Sequence, residues 1–90
     1  MVKVSKYGNT LSMRGYAQNN PFHRERELLG KTIKSIREKK SMTQEDLADK
    51  AASNVSYLAK IENGYVNTSV RYLIKIARGL NVKVRDLFEF

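Results

Sequence analysis

Within VSYLAKIEN, residues 55–63, the side chains Ser56, Ala59, Lys60 and Asn63 recur at i, i+3, i+4 and i+7. That spacing lays them along one face of a helix, with Val55 at its start. The chemistry they offer is a hydroxyl, an ammonium and an amide, set beside small apolar groups. Leu58 and Ile61 fall on another face and form an inner edge. A mixed polar face backed by an apolar anchor suits recognition of another surface, not bond-making. Elsewhere the chain supplies no catalytic set. His23 is its only histidine, and cysteine is absent. There is no Gly-rich phosphate loop and no pair of carboxylates in an evident pocket. Asp46 and Asp49 read as helix-surface charge. No enzyme activity, cofactor or metal is expected, and disulfides and cysteine-ligated metal are excluded.

The chain has 90 residues, room for one small domain, and no internal repeat. Its formal net charge is +8 and its pI about 9.9. Such a surface attracts polyanions, of which nucleic acid is the commonest. No apolar run approaches the roughly 20 residues of a membrane span. No helix pairs a wide apolar face with a strongly basic one, so a membrane partner is not expected. The N-terminus lacks the apolar centre of a secretory signal, and the expected location is cytoplasmic.

The elements that must position this face lie after Leu28. Residues 1–27 are rich in Gly, Asn and Ser, hold the only Pro and show no helical period. They are expected to form an irregular or disordered arm, with Asn19-Asn20-Pro21 as a boundary. Lys3–Met13 also permits a hairpin turning at Gly8-Asn9, and that piece resembles the opening of swapped-hairpin DNA-binding antitoxins. From Leu28 onward the pattern is helical. Leu29, Ile33 and Ile36 mark one face of a first helix that fades near Lys39-Lys40. Thr43, with Asp46 three residues on, predicts the start of a second helix. Leu47, Ala48 and Ala51 point inward from it. Ser53 or Asn54 caps the third helix, and Gly64 ends it. Thr68 or Ser69 caps a fourth, whose apolar stripe is Val70, Leu73, Ile76, Ala77 and Leu80; Asn81 ends it. VKVRDLFEF predicts a short last helix. The fold class is therefore all-α.

Residues 29–88 resemble the Cro/repressor-type (XRE) helix-turn-helix family. The matching pieces are Leu29-Gly30, Ile33, Ile36-Arg37, MTQEDLA at 42–48, YLAKIENG at 57–64 and LIKIARGLNV at 73–82. The resemblance implies a five-helix, lambda-repressor-like DNA-binding domain over 28–90. The function it implies is a sequence-specific double-stranded DNA-binding transcriptional regulator, more often a repressor. It would act as a homodimer on an inverted-repeat operator. The alternative is an antitoxin, or another interaction module, that masks a small protein partner and autoregulates its promoter.

The family's roles carry over position by position. Val55, Ser56, Ala59 and Lys60 would face base edges in the major groove. Gln44, Asn54, Tyr57, Asn63, Asn67, Thr68 and Arg71 would contact phosphates, which set affinity and register. Tyr57 packs at the domain edge in an alternative reading. Arg37 and Glu62 would form a partly buried ion pair that fixes the recognition helix. Val82, Val84, Leu87, Phe88 and Phe90 would form the dimer surface, or close the monomer core. Lys3, Lys6, Arg14, Arg24 and Arg26 make the arm basic enough to follow DNA. Two features depart from the family pattern. Ala52 stands where a turn glycine is usual, and the recognition face lacks Arg, so modest discrimination aided by DNA shape is expected.

Overall fold

A computed structural model describes residues 22–90. The hairpin expected over Lys3–Met13, and most of the expected arm, lie outside these residues. The described chain forms α1 (His23–Lys39), α2 (Gln44–Lys50), α3 (Val55–Glu62), α4 (Val70–Leu80) and a 3-10 helix, Val84–Phe88.

Residues 23–27 are helical, not part of an irregular arm. The run HRERE has no apolar period, so periodicity could not reveal it. Long-range contacts hold it instead. Gly64 has φ +73°, and a Cβ there would stand 3.0 Å from the Glu27 Cα, so only glycine allows the chain to pass so close. Arg26 Nη1 donates to Asn67 Oδ1 at 3.4 Å, and His23 Nε2 lies 3.2 Å from Glu27 Oε2 one turn on.

Each later α-helix begins with a side-chain cap. The Thr43 hydroxyl accepts from the Asp46 N–H at 3.0 Å, and Asp46 Oδ2 accepts from the Thr43 N–H at 2.9 Å. This closes a full capping box with Asp in the acidic role. Those bonds, the Thr43 N–H foremost, hold the Asp46 carboxyl below the usual carboxylate range. Asn54 caps α3 by accepting from the Tyr57 N–H at 2.7 Å, and Ser69 caps α4 through the Tyr72 N–H at 3.0 Å. Asn81 ends α4 in the left-handed region at φ +60°.

Ile33, Leu47, Leu58, Ile76, Leu80 and Leu87 are fully buried and join all five elements in one core. Val70, read as part of the α4 stripe, is 69 % exposed, because Tyr72 and Leu73 take the inner face of that first turn. The last element is a 3-10 helix, not an α-helix. Its Asp86 N–H bonds back three residues, to the Lys83 carbonyl, and five residues are too few for a stable α-helix.

Gly30 lets α1 lie directly on the end of α3. A Cβ at that position would sit on the carbonyl oxygens of Ile61 and Glu62.

Candidate functional site

The turn between α2 and α3 aims the first turn of α3. Ala51 caps α2, and Ala52 adopts φ +53°. A left-handed alanine costs about 1 kcal/mol relative to glycine. The Lys75 ammonium, from α4, donates to the Ala52 carbonyl at 3.1 Å and braces that turn. The Ser53 N–H returns to the Ala48 carbonyl at 2.8 Å.

Beyond the turn, α3 divides into two faces. Leu58 and Ile61 are buried against the core, while Val55, Ser56, Lys60 and Asn63 are exposed and Ala59 is half-buried. Among the described residues, the side chains of Ser56, Lys60, Asn63 and Arg71 form no hydrogen bond or ion pair. Their donors stand free on α3, at its C-cap and at the start of α4. Gln44, Asn54, Tyr57, Asn67 and Thr68 are engaged within the chain. Gln44 Nε2 donates to Glu62 Oε1 at 2.9 Å, which leaves its oxygen unengaged. Asn54 serves as a cap, and its amide nitrogen remains free. Asn67 accepts from Arg26. The Tyr57 hydroxyl donates to Thr68 Oγ1 at 3.3 Å, which leaves the Thr68 proton to donate outward. Tyr57 is half-buried and stands edge-on to Tyr72, with ring centroids 4.8 Å apart and planes at 89°.

The end of α3 is fixed by a charged network. Arg37 Nε meets Glu62 Oε2 at 2.7 Å, and Arg37 Nη2 meets Glu62 Oε1 at 3.0 Å. Arg37 Nη1 donates to the Met42 carbonyl at 2.8 Å. The fork is bidentate, the strongest geometry for this pair. The Glu62 hydrogen bonds hold the Arg37 guanidinium above its ordinary value, against burial, which pulls the other way. Gln44 completes the network, a scaffolding bond that its position at a helix start did not disclose.

A second cluster was also invisible in the motif. The Tyr72 and Ser53 hydroxyls are 2.8 Å apart, and burial raises the Tyr72 phenol above its usual value, so it stays protonated. Tyr72 lies four residues before Ile76, a spacing that could have put it on the inner face of α4.

The C-terminal residues separate. Leu87 is buried at 0 % exposure within its own chain and is therefore core, not contact surface. Val82 and Val84 are half-buried, while Phe88 and Phe90 are 47 % and 52 % exposed with ring centroids 6.2 Å apart. The two rings border an apolar groove with Phe22, Leu29, Ile61 and Val66. Arg26, expected on a free arm, lines this groove from α1. Among the described residues no cluster of His, Asp and Glu is placed to hold a metal ion, and no helix is long and apolar enough to cross a membrane.

Residues 33–87 match a family model described as helix-turn-helix. A protein of Archaeoglobus fulgidus described as an uncharacterized HTH-type transcriptional regulator is 41% identical over 58 residues, covering 64% of this chain and 83% of its own. The control protein C.BamHI of Bacillus amyloliquefaciens is 38% identical over 66 residues, covering 72% of this chain and 82% of its own. The crystal structure of the restriction-modification controller protein C.AhdI from Aeromonas hydrophila superposes with a TM-score of 0.71 at 29% identity, over 72% of this chain and 98% of that one.

Proposed function

This chain belongs to the helix-turn-helix family of DNA-binding transcriptional regulators, and we propose that it acts as a homodimeric repressor on an inverted-repeat operator. The observation that carries this reading is the division of α3. Its outer face presents unengaged Ser56 and Lys60, while Leu58, Ile61 and Glu62 lock its rear. A helix so held fits the major groove, which is about 12 Å wide. Val55 then offers a methyl surface to thymine, Ser56 a hydroxyl to several bases and Lys60 a charge to guanine acceptors or a phosphate. Gln44, Asn63, Thr68 and Arg71 lie at helix ends or on the flanking loop and supply the phosphate contacts. Asn54, Tyr57 and Asn67 contribute through the groups that their internal bonds leave free.

One such helix spans only a few base pairs, so a second copy is needed for an operator of useful length. The exposed Phe88 and Phe90 rings, beside the apolar groove, support a dimer surface there. The likeness to C.BamHI and C.AhdI supports a controller-type regulator.

Selection from a random duplex library at about 0.15 M salt, where specific binding outlasts phosphate attraction, tests the reading. An enriched inverted repeat with half-sites about 34–36 Å apart is the expected result. Retention without enrichment would sink it. The exposed rings also suit a protein-masking module of the antitoxin kind. Co-purification of a second small protein, with no dimer of the chain alone, would favour that reading.

A further inference from the structure

The residues proposed to read bases, Val55 and Ser56, lie between two that α4 holds from behind. On one side the Tyr72 hydroxyl meets Ser53 Oγ at 2.8 Å. On the other the edge of one ring meets the face of its neighbour in the Tyr57–Tyr72 pair, at 4.8 Å between centroids. Tyr72 is buried, and both of its contacts lie within four residues of chain. One turn further along α4, Lys75 fixes the Ala52 carbonyl. Residues 52, 53 and 57 are thus all pinned to one helix that presents no base-reading side chain of its own.

We propose that Tyr72 is a positioning residue for sequence discrimination, setting the direction of the first turn of α3 through Ser53 and Tyr57. This rests on the functional reading above and adds to it a determinant that never touches DNA. The α3 end is held by Glu62, so the helix is fixed at both termini by different chemistry. Loss of the Tyr72 bond frees the N-terminal end alone. A base contact must be met within a fraction of an ångström, whereas a phosphate tolerates a roaming side chain. Loosening this end therefore lowers affinity for the preferred sequence more than affinity for random duplex.

The test uses the full chain with Tyr72→Phe, Ser53→Ala, the double variant and Ile76→Val. Tyr72→Phe keeps the ring contact and removes only the hydroxyl. Ile76→Val weakens the core of α4 at a side chain that makes no hydrogen bond to residues 52–57. Affinities are measured for the sequence enriched by the wild-type chain and for random duplex, and amide exchange is followed in the free protein. For each hydroxyl deletion the ratio of the two affinities should fall about fivefold, the scale of one net hydrogen bond. The double variant should fall no further than either single one. Exchange at the Tyr57 and Leu58 amides should quicken by a similar factor, with Asn63 unchanged. Ile76→Val should leave the affinity ratio as it was.

Unchanged exchange at Tyr57 and Leu58, additive losses, or an equal loss in Ile76→Val would overturn the proposal. If the wild-type chain enriches no sequence, the functional reading fails by itself. The exchange measurement then still decides whether Tyr72 holds the α3 terminus.

Discussion

Glu62→Gln is the sharpest probe of the scaffold. The Glu62 carboxylate accepts three hydrogen bonds, two from Arg37 and one from Gln44. An amide offers one oxygen. If that oxygen faces Arg37 Nε, its NH2 faces Arg37 Nη2 and Gln44 Nε2, donor against donor. Gln44 can rotate its own amide to offer oxygen, but Arg37 has no acceptor to offer. At least one charge-assisted bond is lost, worth about 1.5–3 kcal/mol. The guanidinium is also left without a counter-charge in a site where its side chain is 9 % exposed and that of Glu62 is 2 % exposed. Solvent therefore screens little, and breaking such a pair costs about 3–5 kcal/mol. The remaining Met42 carbonyl bond places the expected loss near the lower end, about 3 kcal/mol. For a domain of this size that is a fall in Tm of about 12–24 °C. Helical circular dichroism through thermal and urea unfolding measures it. Replacing both partners with Met should recover much of the loss, because the cost lies in the unpaired charge. A Tm within about 4 °C of wild type would refute the buried-pair reasoning.

Three further outcomes follow from the backbone and the caps. Gly30→Ala drives a methyl group into the Ile61 and Glu62 carbonyls and should cost about 1–3 kcal/mol, read by urea unfolding. It should also weaken DNA binding, since α3 is the element displaced. Ala52→Gly relieves the positive φ and should add about 1 kcal/mol of stability; a lower Tm would show that the freedom glycine gains in the unfolded chain outweighs the strain it relieves. Asp46 has a depressed pKa when folded, so its cap stabilises above the ordinary carboxylate value of about 3.9 and loses that effect as pH falls below it. Asp46→Asn should therefore have a lower Tm than wild type at neutral pH, with the gap closing toward pH 3.

The legible parts of this chain were those in which local chemistry and global fold agree. Thr43 and Asp46 specify a helix start by themselves, and Leu58 and Ile61 orient α3 by spacing alone. The pairing of Arg37 with Glu62 came from family resemblance, since 25 residues separate them and neither neighbourhood hints at the other. What escaped the sequence depends on contacts distant along the chain. The first turns of α1 are polar on all sides and are held by Gly64 and Asn67. Leu87 has the same apolar character as Phe88, and only the packed core tells them apart. Tyr72 has no motif signature, because its role depends on where Ser53 and Tyr57 arrive in space.

One carboxylate on α3 that holds donors from α1 and α2 has a thermodynamic consequence. The two helices of the motif come to their target already docked, so association spends little conformational entropy on ordering them. The heat-capacity change on binding then reports the apolar area covered at contact, without the increment that accompanies coupled folding. The encounter rate is set by diffusion and by the attraction of a basic surface to a polyanion, with no slow rearrangement between collision and recognition.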